Sequence, residues 1–137
     1  MSSGPSGCSG GNGETLIFTC AGAAYSGQVA NRSGVQLMEQ GAGSLFCIAA
    51  VAAGIEPKLD RARKAARRVA IDGCEDHCVR KVLEQAGLTA DVHVVLTDLG
   101  IEKKPAQPNM INDTRKVVDT VKQQLGPGAA TQRGCCG

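Results

Sequence analysis

Cysteine is the residue type whose number and placement in this sequence most directly suggest chemistry. The chain has seven cysteines in 137 residues, an odd number that cannot pair completely within one molecule. Cytosolic thiols stay reduced, so a group of them predicts metal or redox chemistry before it predicts a disulfide framework. Four of the seven lie in the patterned part of the chain: Cys20, Cys47, Cys74 and Cys78.

Two of these thiols are close in sequence, in the stretch Asp72-Gly73-Cys74 that is followed by Cys78. This spacing is normal for paired zinc ligands, and zinc binds thiolates tetrahedrally at about 2.3 Å. The pattern predicts a helix that begins at Cys74. The free amide groups at the N-terminus of this helix, and its dipole, would favour a thiolate there. Cys78 would lie one turn further on, on the inward face that also carries Val82. The pair alone supplies half of a four-thiolate site.

Alternating apolar segments must position these thiols. Strand-like runs at 15–19, 44–50, 68–72 and 91–97 alternate with helical patterns at 27–40, 57–66, 74–86 and 109–125. Such alternation predicts βαβ units. We therefore expect an α/β fold, a single small domain over residues 14–126 with a four-stranded, mostly parallel sheet and helices on both faces. Gly-rich segments at 1–13 and 127–137 are expected to be flexible.

This architecture predicts where the thiols meet. Cys20 ends the first strand, Cys47 lies within or near the end of the second, and Cys74 follows the third by two residues. Ligands of open α/β sheets gather beyond the carboxyl ends of the strands. Because the first three strands are expected to be neighbours, three segments would deliver four sulfur atoms to one edge of the sheet. We predict a zinc site there, formed with Cys78 as the fourth ligand.

The sequence also resembles the DGC-domain family, whose members are often described as zinc-binding proteins. Asp72-Gly73-Cys74 with Cys78 carries the resemblance, together with three further segments over residues 15–125: Cys20 with Gly22, Cys47 in LFCIA, and the stretch at 97–101, TDLGI. The resemblance implies the same four metal ligands, Cys20, Cys47, Cys74 and Cys78. It implies no settled cellular role.

We also predict which other residues lie near the metal site. Residues expected to contact the ligands or the bound ion from outside are Gly22, Asp72, Gly73 and Asp98. The expected accessory thiols, which lie in the Gly-rich ends, are Cys8, Cys135 and Cys136. His77 is expected to face solvent, His93 to be a hydrogen-bonded core residue, and Glu75 and Asp76 to favour the helix N-terminus.

Two alternatives use the same thiols. The first is a thiol redox protein or an iron–sulfur protein, with a cluster in place of zinc. The second is a phosphatase-like or reductase-like enzyme with Cys20 as nucleophile and Asp98 as general acid. The stretch that starts at Cys20 resembles a phosphate loop, but Ser26 stands where the phosphate-binding Arg should be. No catalytic residue is assigned.

Composition limits the partners. A formal charge of +2 provides no large field to attract nucleic acid, and the basic residues from 58 to 68 are expected to form a solvated helix face. The longest apolar run, at 44–54, is too short to cross a bilayer. The N-terminus lacks the features of a signal peptide. We expect a cytoplasmic protein, a monomer or weak homodimer, whose partner is a metal ion rather than nucleic acid or a membrane.

Overall fold

Four strands form one parallel sheet in the structure, a computed structural model that describes residues 13–126. The strands are β1 Thr15–Thr19, β2 Ser44–Phe46, β3 Arg67–Asp72 and β4 Val92–Val95, and their order in the sheet is β2-β1-β3-β4. All three strand pairs are parallel. The expected α/β fold is therefore confirmed. The flexible ends were predicted at 1–13 and 127–137. Apart from Gly13, these residues lie outside the described part of the chain, and so do Cys8, Cys135 and Cys136.

Helices cover both faces of this sheet. They are α1 Tyr25–Glu39, α2 Ile48–Ala52, α3 Glu56–Lys64, α4 Cys78–Gln85 and α5 Ile111–Leu125, with a 3₁₀ helix at Leu96–Leu99. In the sheet, β2 lies on one side of β1 and β3 lies on the other side. Right-handed crossovers in opposite directions put α1 on one face and α2, α3 and α4 on the other.

Side chains along β1 point alternately into two separate hydrophobic cores, one on each face of the sheet. Ile17 packs with residues of α1 and α5, whereas Leu16 and Phe18 pack with residues of α2, α3 and α4. All three side chains are completely buried, and each such burial contributes about 1.5–3 kcal/mol to folding. The central strand is thereby held from both faces, which fixes the position of its carboxyl end.

The second strand is shorter than predicted. Sequence patterning placed it at 44–50, but β2 ends at Phe46 and α2 begins at Ile48, with Cys47 between them. A short apolar run does not distinguish strand from helix, and the Ala-rich segment IAAVA has high helix propensity. Cys47 is consequently not part of the strand and lies just beyond its carboxyl end.

The helix after β3 starts later than predicted. It begins at Cys78, not at Cys74, and residues 73–77 form a turn in which the His77 amide donates to the Cys74 carbonyl at 3.2 Å. His77 has a left-handed backbone conformation with φ of 53°. The expectations that Cys74 lies in the first helical turn, and that His77, Glu75 and Asp76 lie within the helix, were therefore wrong. The reason lies in a contact from β3, described below.

The basic residues of α3 are largely paired. Arg61 bonds to Glu14, Arg63 to Glu56 at 2.8 Å, and Lys64 to Asp60 at 2.9 Å. Opposite charges thus lie beside much of the basic surface of this helix. Within residues 13–126, no helix combines the length and apolar character that crossing a bilayer requires.

A buried phenol joins the two helices of one face. Tyr25, at the start of α1, is 4% exposed, and its hydroxyl donates to the Asp113 carboxylate of α5 at 2.6 Å. Burial, and then the hydrogen bond and negative charge of Asp113, raise the pKa of Tyr25 from 10.0 to about 12. The protonated phenol is therefore favoured in the folded state.

Tyr25 is the single tyrosine of the chain, so its ionisation can be followed by ultraviolet absorbance of the phenolate. The native protein should titrate near pH 12, and its stability should be undiminished below pH 10 and fall as the pH rises toward 12. Asp113→Asn should lower this pKa without restoring 10.0, because burial is the larger cause. Native titration at the unfolded value would contradict this account.

Candidate functional site

Four thiols lie beyond the carboxyl ends of the three strands that were expected to bring them together. Cys20 follows β1, Cys47 follows β2, and Cys74 and Cys78 follow β3. All four are free thiols, with Cys20 and Cys74 partly buried and Cys47 and Cys78 exposed. The sheet order reverses between β1 and β3, and this is the place where open α/β sheets form ligand-binding crevices. Cys20 and Cys74 follow the two strands between which the order reverses.

Backbone contacts bring the loop after β1 against the loop after β3. The Cys20 amide donates to the Ile71 carbonyl at 3.0 Å, which extends the strand pairing by one residue. A Cβ atom on Gly73 would lie 2.9 Å from the Gly27 amide nitrogen, and one on Gly27 would lie 2.8 Å from that of Gly22. Real Cβ atoms do not come this close, so the start of α1 fits between the two loops only because these residues are glycines.

Cys74 lies within a small charged group. Its thiol donates to the Asp76 carboxylate at 3.5 Å, and the same oxygen accepts from the Lys103 ammonium at 3.2 Å. The Lys103 hydrogen bond, followed by that from Cys74, keeps the pKa of Asp76 below its ordinary value. Both Asp76 and the nearby Cys74 raise the pKa of Lys103. A positive charge therefore lies close to the Cys74 sulfur.

Lys103 is held there by the segment that follows the 3₁₀ helix. The Tyr25 amide donates to the Lys104 carbonyl at 2.7 Å, and Ala24 pairs with Pro105 in an isolated antiparallel bridge. The start of α1 thus positions Lys103 beside Cys74. Sequence analysis did not find Lys103, because no local pattern distinguishes it from the other surface lysines.

Cys78 occupies the first position of α4. Although the residue is exposed, desolvation of the thiol raises its pKa, and negative charge on Cys20, Asp72, Asp76 and Cys74 raises it further. The helix terminus was expected to stabilise a thiolate at Cys74, but Cys78 holds that position and its ionisation is disfavoured. The charges that act on the Cys78 thiol thus come from residues at the ends of both β1 and β3 and from the turn that follows β3.

A buried carboxylate determines where α4 begins. Asp72 is 1% exposed, and its oxygens accept from the Val79 amide at 2.7 Å and the Arg80 amide at 3.3 Å. These are amide groups of the first helical turn, which lack partners within the helix. Asp72 therefore caps α4 from the end of β3, which leaves residues 73–77 as the connecting turn.

The same carboxylate holds a pair of histidines. The His93 Nε2 atom lies 2.8 Å from the Asp72 carboxylate, and the His77 and His93 rings meet edge to face with centroids 5.2 Å apart. His93 is thus the hydrogen-bonded histidine that was expected, on β4. His77, expected to face solvent, is half-buried against it. Asp72 supports the turn between Cys74 and Cys78, whereas Asp98 is exposed on the 3₁₀ helix.

The four thiol groups are of the chemical type that binds a thiophilic ion, but in this structure they are not close enough to one another to coordinate one. Among residues 13–126, no three His, Cys, Asp or Glu side chains are grouped closely enough to hold a metal ion. Binding of one ion by Cys20, Cys47, Cys74 and Cys78 would require their side chains to draw together. The assignment of metal ligands stays a prediction.

Comparison with known proteins identifies the family. The family model of the DGC domain matches residues 16–121. The chain belongs to the DGC domain family. It is also similar to the Anaerobic and virulence modulator AnvM of Pseudomonas aeruginosa, with 26% identity over 113 residues that cover 82% of this chain and 86% of that protein. No solved structure matches. The resemblance read from Asp72-Gly73-Cys74 and the other segments is confirmed.

Replacement of Gly73 tests the contact between the two loops of this DGC domain. Gly73→Ala should lower the free energy of unfolding by about 1–3 kcal/mol, because its methyl group would meet the backbone of Gly27. Gly22→Ala is the matched control, since its Cβ would meet only the Cys20 sulfur at 3.7 Å, and it should change stability by less than about 0.5 kcal/mol. Urea unfolding measures both, and equal effects would refute the role of Gly73.

Replacement of Asp72 tests the cap of α4. Asp72→Asn removes the charge and turns one acceptor oxygen into a donor that faces N–H groups, so the free energy of unfolding should fall by about 2–3 kcal/mol. The control Asp98→Asn alters an exposed carboxylate and should stay within about 0.5 kcal/mol of the original protein. Denaturant titration monitored by circular dichroism distinguishes the two, and an unchanged midpoint for Asp72→Asn would be the contrary result.

Proposed function

We propose that this DGC-domain chain binds a thiophilic metal ion, with zinc as the first candidate, through the thiolates of Cys20, Cys47, Cys74 and Cys78. The observation that carries the proposal is the arrival of free thiols from the β1 and β3 loops at the reversal point of the sheet. Soft thiolate ligands select zinc, copper(I) and iron–sulfur clusters over magnesium or calcium. Asp72 and the three contacting glycines would hold the loops that present these ligands.

The electrostatics of the site support a cation. Ionisation of the Cys78 thiol is opposed first by desolvation and then by negative charge on Cys20, Asp72, Asp76 and Cys74, so thiolates gathered here without a cation would repel one another. A bound divalent ion reverses this balance, since metal ligation deprotonates thiols outright. Thiols that must release protons and move together would couple metal binding to a local change of structure, which suits a metal sensor or carrier.

A regulatory or carrier role also agrees with the relative. AnvM is described as an anaerobic and virulence modulator, a description that suggests control rather than turnover of a substrate. We extend that class of role to this chain. Free thiols persist in reducing compartments, so we place the protein in the cytoplasm.

The same thiols would also suit the redox alternative, an iron–sulfur cluster or a reversible disulfide. The description of AnvM as an anaerobic modulator favours keeping this alternative, because iron–sulfur centres and thiols respond to oxygen. The enzyme alternative with Cys20 as nucleophile has less support. The position that would carry the phosphate-binding Arg is Ser26, which is buried at 1% exposure.

Elemental analysis of anaerobically purified, untagged protein tests the proposal. We expect about one zinc ion per chain and a colourless solution, because one tetrahedral thiolate site binds one ion. Cys74→Ser and Cys78→Ser should each lose the metal, while circular dichroism verifies that the variants fold. Iron in a brown sample would favour the cluster instead.

The matched control is Cys135→Ser, a thiol outside the residues matched by the family model. It should retain the metal content of the original protein. Equal metal loss in all three variants would place the ion elsewhere, and absence of any metal after supply of zinc to the reduced protein would contradict the proposal.

A further inference from the structure

The face of α1 that points away from the core carries apolar side chains. Gln28, Asn31, Val35 and Met38 recur at intervals of three and four residues, so they lie along one stripe of the helix. None of the four is a buried residue of α1, whose buried residues pack toward the sheet and α5. Met38 is 43% exposed. We call these four positions the outer stripe of α1.

A groove lies between the outer stripe and the segment that leads into α5. It has a volume of about 230 Å³ and is lined by Met110 and six residues of α1, among them Arg32, Val35 and Glu39. Its walls therefore combine apolar side chains with one positive and one negative charge. A partner that fits this surface must offer apolar contact and charges of both signs.

The two charges are placed almost symmetrically about Val35. Arg32 lies three residues before it and Glu39 four residues after it, so the two charged positions are seven residues, or about two helical turns, apart. Both side chains are exposed. Within residues 13–126, neither of them takes part in an ion pair. Two opposite charges on one side of a helix are met together by a surface that presents them in the reverse order.

A second copy of this chain presents the reverse order when its α1 helix runs antiparallel to the first. If the two helices meet at Val35, Arg32 of each copy lies opposite Glu39 of the other, because both positions are nearly equidistant from Val35. The same register brings Met38 of each copy beside Asn31 of the other. This contact is self-complementary, as a two-fold symmetric interface must be. A parallel arrangement would instead place Arg32 against Arg32.

We infer that this chain forms a two-fold symmetric homodimer through the outer stripe of α1, with antiparallel helices and two Arg32–Glu39 ion pairs. One helix face from each copy should bury less than the roughly 1,200–2,000 Å² of specific, stable interfaces, so the association should be weak. Exposed ion pairs add little affinity, but unlike charges favour one orientation and like charges oppose the others. The inference is independent of the proposed metal-binding function.

Sedimentation equilibrium of the full chain in reducing buffer tests this interface. The original protein should self-associate with a Kd below about 1 mM, and added salt should weaken the association because it screens exposed charges. Arg32→Glu and Glu39→Arg should each weaken it roughly tenfold or more, since each variant places two like-charge pairs in the interface. The control Arg115→Glu reverses an exposed charge on α5 and should leave the association unchanged.

An equimolar mixture of Arg32→Glu and Glu39→Arg provides the decisive comparison. In a mixed dimer, each carboxylate of one variant faces a guanidinium of the other, so association should return nearly to the original strength. Circular dichroism verifies that both variants fold. The inference would be overturned by an original protein that stays monomeric up to about 1 mM, by equal weakening in Arg115→Glu, or by a mixture that associates no better than either variant alone. None of these results would bear on metal content.

Discussion

The buried carboxylate of Asp72 is the interaction on which the candidate site depends. A charge with almost no exposure to water is tolerated only when it is fully hydrogen-bonded. Here the bonds come from the first turn of α4 and from His93 on β4. One side chain therefore ties together β3, β4 and α4, and it does so immediately before the turn that carries Cys74 and Cys78. The relative positions of these two thiols therefore depend on the hydrogen bonds that the first turn of α4 donates to Asp72.

The second constraint is steric. The start of α1 fits between the loops that follow β1 and β3 because a side chain on Gly27 or Gly73 would collide with backbone atoms. That contact joins the Cys20 loop to the Cys74 loop, whereas Asp72 joins Cys74 to Cys78. Together the two constraints bring thiols from separate parts of the chain to the same edge of the sheet.

Several features of the site could be read from the sequence, and the errors have a common cause. Cys20 and Cys74 were correctly placed beyond the ends of adjacent parallel strands, because apolar runs and βαβ alternation determine such ends. The start of α4 was misplaced because its cap comes from Asp72, six residues before Cys78 and outside the local pattern that predicts helices. The length of β2 was misjudged because IAAVA is apolar in either secondary structure. Lys103 had no local signal, since only the packing of its segment against α1 brings it to Cys74.

The sequence by itself determined the family, the α/β class and the order of strands and helices. These properties follow from local composition, hydrophobic periodicity and short motifs, which do not depend on distant contacts. Only the tertiary structure decided where α4 begins and which charged groups lie beside Cys74. Asp72 accepts hydrogen bonds from the first turn of α4, and the packing of residues 104–105 against the start of α1 brings Lys103 to the Asp76 carboxylate beside Cys74. Both outcomes depend on contacts between distant parts of the chain, which local sequence patterns do not contain.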